Sequence, residues 1–171
     1  VDQRVIEVVV RYLGEDFGNA GSRTHAFGSH AAQAVEAARA AVASLAQSRP
    51  EEVLFTSGAT EANNLALLGL ASVGESTGRK HVLTTAIEHK AVLEPLEYLA
   101  EHQGFDLEVL PSTSDGSVDP VALERSLRED TLLVSTMHAN NETGVILPLG
   151  EYADVLSDHP AYWHVDAAQT F

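Results

Sequence analysis

Apolar positions along the chain switch repeatedly between helical spacing and short unbroken runs, and the switching predicts the elements. Val5, Val8, Val9 and Leu13 recur at helical spacing close to the start. A loop of turn-formers over 18–22 leads to an alanine-rich helix over 31–46, with Val35, Ala38, Val42 and Leu45 marking one face and Arg49-Pro50 ending it. Val53, Leu54 and Phe55 have the character of a buried strand. They run through the small residues Thr56, Ser57 and Gly58 into a helix beginning near Thr60 that carries Leu65, Leu67, Leu68 and Leu70. Residues 74–80 read as a polar loop. Further strands are predicted over 81–85, 106–110, 131–137 and 162–165. Helices are predicted over 88–103, stopped by Gly104, from Pro120 behind an Asp119 cap, and over 149–156. Leu132, Leu133 and Val134 form an unbroken apolar run, as expected of a strand covered on both faces. Strands alternating with helices imply an α/β fold, a mainly parallel sheet with helices on both faces, and no internal repeat interrupts it.

In such a sheet, ligands collect beyond the carboxyl ends of the strands. The turn before Ala59 and Thr60 is one candidate, because a helix start offers unpaired N–H groups and a positive dipole end to an anion such as phosphate. Ser57 or Thr60 acting as an ordinary N-cap explains the same residues equally simply. Three other polar stretches follow apolar runs: residues 88–90, 138–144 and 164–169. Asp166 stands where a buried carboxylate needs a cation or a protonated ring nitrogen, or else caps the next helix. Gln169, three residues on, is either a ligand contact or a surface glutamine. Asn141 is either a donor to a ligand or a turn residue beside Gly144. His89 can stack on a planar ring and carry a proton near neutral pH, or simply occupy an exposed helix start.

Composition bounds these readings. At 171 residues, 44% hydrophobic and 20% charged, the chain is ordinary globular material for one domain or a large part of one. No apolar run reaches the ~18 residues a membrane helix needs and no signal segment is visible, so a soluble, cytoplasmic setting without membrane partners is expected. A formal net charge of -15 argues against direct binding of nucleic acid. The sequence has no cysteine, hence no disulfide or cysteine-based metal site, and its histidines lack metal-binding spacing. Val1 in place of a methionine, and a last stretch Gln169-Thr170-Phe171 directly after a strand, suggest a chain entered midway and continued further.

Five stretches resemble a known family: Phe-Gly-Asn-Ala-Gly-Ser-Arg (17–23), Phe-Thr-Ser-Gly-Ala-Thr-Glu (55–61), Ile-Glu-His-Lys-Ala-Val-Leu (87–93), Met-His-Ala-Asn-Asn-Glu-Thr-Gly (137–144) and His-Val-Asp-Ala-Ala-Gln (164–169). In this order they resemble the cysteine desulfurases (NifS/IscS-like) of the class V aminotransferase group, which use pyridoxal phosphate (PLP), and the wording is most similar to the DndA-type desulfurase of bacterial DNA phosphorothioation. The resemblance implies the large domain of a fold-type I PLP enzyme over 1–171. It implies removal of sulfur from L-cysteine to give alanine and an enzyme persulfide, in a homodimer that passes sulfur to an acceptor protein, either for DNA modification or for iron–sulfur cluster assembly.

It further implies cofactor contacts from Ala59, Thr60, His89, Asn141, Asp166 and Gln169. Asp166 would meet the pyridinium nitrogen and Gln169 the ring oxygen, while His89 would stack on the ring and shuttle substrate protons. His138 and His164 would support their own motifs. Two family features do not occur: the Schiff-base lysine of a Ser-Xaa-His-Lys type segment, and a mobile-loop cysteine. The only lysines are Lys80 and Lys90. These residues alone are therefore expected to be inactive, serving as part of a longer desulfurase or together with a second polypeptide. The alternatives are another class V enzyme, a selenocysteine lyase or aminotransferase, or a non-catalytic binding module of the same fold.

Overall fold

The computed structural model describes all 171 residues, which form two compact units, Val1–Phe55 and Thr56–Phe171. The first unit is helical. Helix α1 (Gln3–Gly14) starts where the Asp2 carboxylate accepts the Arg4 amide, and α2 (Ala26–Ala46) starts where His25 Nδ1 accepts the Gly28 amide. The face expected on α2 is not the buried one: Val35 and Leu45 are exposed, and Gly28, Ala31 and Ala43 are buried. Small side chains let a backbone approach its neighbours closely, and here they outweigh the branched residues in choosing the inward face. A 3-10 turn, Pro50–Glu52, closes with Arg49 and Glu52 side chains bonded to each other.

Val53, Leu54 and Phe55 do not form the expected strand. Their backbone is extended at Val53, but the segment joins no ladder, and Leu54 and Phe55 are exposed. Strand character in a side chain does not supply a pairing edge, and without one the backbone groups go elsewhere. The Val53 carbonyl accepts a guanidinium N–H of Arg39, whose charge also lies over the Phe55 ring.

The second unit contains helices α3 (Ala59–Gly69), α4 (Ala71–Thr77), α5 (Lys90–Gln103), α6 (Pro120–Ser126) and α7 (Leu149–Leu156). Its strands are β1 (His81–Thr85), β2 (Asp106–Leu110), β3 (Thr131–Met137) and β4 (Tyr162–Asp166). They form one sheet in the order β2-β1-β3-β4, every pair parallel. Central strands β1 and β3 are buried along their whole length, as the apolar run in β3 predicts. One face packs Leu83 and Val134 against Leu123 of α6 and Tyr152 and Leu156 of α7. The other packs Val82 and Leu132 against Leu67 of α3 and Val92, Leu96 and Leu99 of α5. Helices thus cover both faces. The expected loop over 74–80 is in its first half the end of α4, where Gly74 lies so close to Phe105 that an added Cβ would come within 2.7 Å of the ring.

Parallel strands bring all their carboxyl ends to one rim. The segment after β1, the loop after β3 and the end of β4 meet there, beside the start of α3. At the amino rim a separate set of groups ties the strands together. His81 Nδ1 lies 2.8 Å from Thr131 Oγ1, which also accepts the Arg128 amide, and the Arg128 guanidinium bonds Asp106 and Glu108.

Candidate functional site

The start of α3 is the first component at the carboxyl rim. Its first turn has no side-chain cap, contrary to the simple N-cap reading of Ser57 or Thr60, and the first amide of the turn to find a backbone carbonyl is Ala62, bonded to Gly58. The amides of Ala59 and Thr60 face outward from a helix end with its positive dipole. Residues before the helix hold the turn in other ways. Thr56 Oγ1 donates to the Gly58 carbonyl, and the Ser57 amide donates to the Glu61 carboxylate at 2.6 Å, which holds that carboxyl below its ordinary range.

At the end of β3, two adjacent asparagines divide their tasks. Asn140 is spent on structure: its Nδ2 donates to the Ile87 carbonyl, while its Oδ1 accepts the amides of Glu142 and Thr143. Asn141 is exposed and makes no such bonds, so its amide is the one available to a ligand. His89 caps α5, its Nδ1 accepting the Ala91 amide at 3.0 Å. In the neutral ring the proton is consequently on Nε2. The cap and the exposed ring coexist, so the two readings of His89 do not exclude each other.

Asp166 closes the site from β4. It is 8% exposed, and no lysine or arginine pairs with it. Its Oδ1 accepts the Ala168 amide at 3.0 Å, which caps a turn over 168–170 in place of the helix expected there. Its Oδ2 accepts Asn63 Nδ2 at 2.8 Å. A buried carboxylate supported only by neutral donors remains in want of a positive partner. Behind Asp166 stand two residues that the sequence did not single out. Asn63 Oδ1 lies 3.2 Å from His164 Nε2, and His164 Nδ1 lies 2.8 Å from Ser135 Oγ. Both Asn63 and Ser135 are polar positions inside apolar elements, which is the signal that could have found them.

Glu88 lies beneath the same rim. Its Oε1 accepts Thr85 Oγ1 at 2.6 Å and the Met137 amide at 2.7 Å, stitching the end of β1 to that of β3, while its Oε2 is buried without a partner. Burial pushes its carboxyl up to about 7, against the pull of the two hydrogen bonds, with the nearby Asp166 charge adding to the rise.

Ala59, Thr60, His89, Asn141, Asp166 and Gln169 all line one concavity of about 140 Å³. His89 and Thr60 are shared with a larger groove of about 530 Å³ between α3 and α5. The two lysines lie elsewhere: Lys80 donates to the Gln103 carbonyl at the amino rim, and Lys90 borders the groove but not the smaller concavity.

Comparison with known proteins bears on this arrangement. The family described as Aminotransferase class-V matches residues 1–171. The chain belongs to the class V aminotransferase family. Among curated members of that kind, the cysteine desulfurase IscS of Anaeromyxobacter sp. (strain Fw109-5) is 49% identical over 170 residues, 99% of this chain. The chain spans 42% of the length of that relative. Among solved structures, DndA from Streptomyces lividans matches with a TM-score of 0.92 at 54% identity, covering 100% of this chain and 47% of that one. SspA in complex with cysteine matches with a TM-score of 0.91 at 34% identity, covering 100% and 48%. This class V chain therefore has the parallel-sheet fold of the cysteine desulfurases it resembles. No helix in it is long and apolar enough to cross a membrane.

Proposed function

We propose that this chain provides the PLP-binding part of a cysteine desulfurase, an enzyme that takes sulfur from L-cysteine and leaves alanine and a persulfide. The observation that carries the reading is Asp166: a buried carboxylate without a cationic partner, facing a concavity whose other side is an uncapped helix start. The donor set fits the cofactor at both ends. Amides of Ala59 and Thr60 would hold its phosphate, and Asp166 would pair with its ring nitrogen when that nitrogen is protonated. His89 would stack on the ring, Gln169 would donate to the ring oxygen, and Asn141 would donate to the cofactor or to a substrate carboxylate. When bound, PLP supplies an electron sink for bonds broken at the substrate's α-carbon.

The chain's own residues orient and exchange protons around that group. His89 has committed Nδ1 to the Ala91 amide, so Nε2 is the atom that would hand over or take up a substrate proton. Asp166 would pair with the ring nitrogen and favour its protonated form. The covalent steps need an attaching lysine and an attacking thiolate, neither of which these 171 residues offer at the site. Taken alone they are therefore inactive, and they form the large domain of the working enzyme together with further polypeptide. The reading brings a reducing, cytoplasmic setting, a homodimer, and an acceptor protein for the sulfur. The destination of the sulfur, DNA phosphorothioation or general sulfur supply, belongs to this reading, which the likeness to a protein named cysteine desulfurase IscS and to DndA supports as far as the desulfurase.

The test is Asp166→Ala in the intact protein, with alanine released from cysteine and PLP content both measured. Turnover is expected to fall by two or more orders of magnitude while most PLP is retained, because the helix start that would hold the phosphate is untouched. Unchanged turnover would reduce Asp166 to a cap for the turn at Ala168.

A further inference from the structure

Asp166 does not stand alone, and the residues behind it are arranged with a definite direction. Ser135 of β3 and His164 of β4 are register partners across the sheet, so their side chains leave on the same face. Asp166 is two residues beyond His164 and shares that face by strand periodicity. Asn63, 4% exposed on α3, reaches down between them.

The donors around Asp166 fix the polarity of every bond in the row. Both oxygens of the carboxyl group accept N–H groups, one from Ala168 and the other from Asn63. Turning the Asn63 amide over would aim its carbonyl oxygen at that carboxylate, so Nδ2 must face Asp166 and Oδ1 must face His164. Asn63 Oδ1 can only accept, so His164 Nε2 must carry a proton. Burial holds the His164 ring below the usual histidine range, against the pull of the Asp166 charge, and the ring is neutral. Its Nδ1 is then an acceptor, leaving the Ser135 hydroxyl as the donor at 2.8 Å.

We propose that Ser135, His164 and Asn63 form a one-way row of hydrogen-bond donors that orients the Asp166 carboxyl group toward the ring nitrogen of the bound cofactor. All three are positioning residues, acting through Asp166 alone. The inference rests on the PLP reading for what Asp166 faces, but the direction of the row does not depend on the cofactor.

Two measurements on the intact protein test it. The first is nitrogen NMR of histidine-labelled protein without added PLP, which reports the proton position on His164. A neutral ring with hydrogen on Nε2 and none on Nδ1 is expected; hydrogen on Nδ1, or a charged ring at neutral pH, would overturn the row. The second compares His164→Gln, whose amide nitrogen can replace the Nε2 donor, with His164→Phe, which keeps a ring and removes the donor. In PLP-loaded protein, His164→Phe is expected to lower kcat for alanine release about tenfold with little change in KM, the factor that loss of one hydrogen bond of ~1.4 kcal/mol represents. His164→Gln is expected to recover most of that loss. Equal kcat in the two folded variants would refute the positioning role, and where either variant fails to fold the tautomer measurement decides the row. If the unaltered protein released no alanine from cysteine, the desulfurase reading would fail, while the tautomer measurement would still decide the row.

Discussion

Glu88 shows how strongly a single buried residue can be tuned by what it lacks. Thr85 and Met137 both bond Oε1, and Oε2 has nothing. The carboxyl ionises near 4.5 in an unfolded chain and at about 7 when folded. Between those values the folded state holds more proton than the unfolded one, so stability falls as pH rises through the window and is not penalised below it. From pH 5 to pH 8 the loss is about 2.5 kcal/mol. Glu88→Gln cannot ionise and keeps an oxygen for the two donors. Its stability relative to the unaltered protein is expected to rise by about that amount between pH 5 and pH 8, read from urea unfolding at both values. Parallel pH curves would mean that Glu88 is ionised in the fold throughout.

The same residue-level view explains what the sequence could reveal of the site. Ala59, Thr60, His89, Asn141, Asp166 and Gln169 each follow or open an element at one rim, and position in an element is legible locally. Asn63 and Ser135 were legible only as polar positions inside apolar elements, and the orphaned oxygen of Glu88 was not legible. Their meaning comes from partners such as Asp166, 103 residues beyond Asn63, and only the folded sheet brings those together.

At the level of elements, legibility depended on where a segment finds its partners. Strands β1 and β3 read correctly because their apolar side chains meet helices on both faces. Val53–Phe55 misled because strand-like side chains say nothing about a pairing edge, and α4 was missed because Gly74 is justified only by the distant Phe105 ring. The end of α5 was legible because its stop is local. Gly104 takes φ +69, its amide donates to the Leu99 carbonyl, and an added Cβ would have room. Gly104→Ala therefore isolates backbone strain from crowding. It is expected to lower stability by about 1 to 2 kcal/mol without altering the helix content of the folded protein, as read by thermal unfolding and circular dichroism. A neutral effect would place the end of α5 in another conformation.

For the whole molecule, charge and composition set what it can meet. With 25 acidic against 10 basic residues, these 171 residues are expected to repel phosphate backbones at moderate salt. If the sulfur is destined for DNA, a receiving protein must make the contact. The intact protein is expected to give no mobility shift with bare duplex DNA at any salt concentration, and a shift that weakens steeply with salt would place DNA on its own surface. The 171 residues purified alone are expected to show no borohydride-stable PLP attachment, since Lys80 is tied to the Gln103 carbonyl and Lys90 lies outside the concavity. Stoichiometric labelling of either lysine would assign it the role now given to residues elsewhere.

The two rims of the sheet have different histories open to them. Contacts between strand starts, centred on the buried His81 and Thr131 and on the exposed Arg128, lie at the end remote from His89, Asn141 and Asp166. Loops at the carboxyl rim can change in sequence and length without unpicking the pairing that begins at the other. A sheet divided in this way separates the residues that hold it together from those that line its concavity, so either set can be altered with the other left in place.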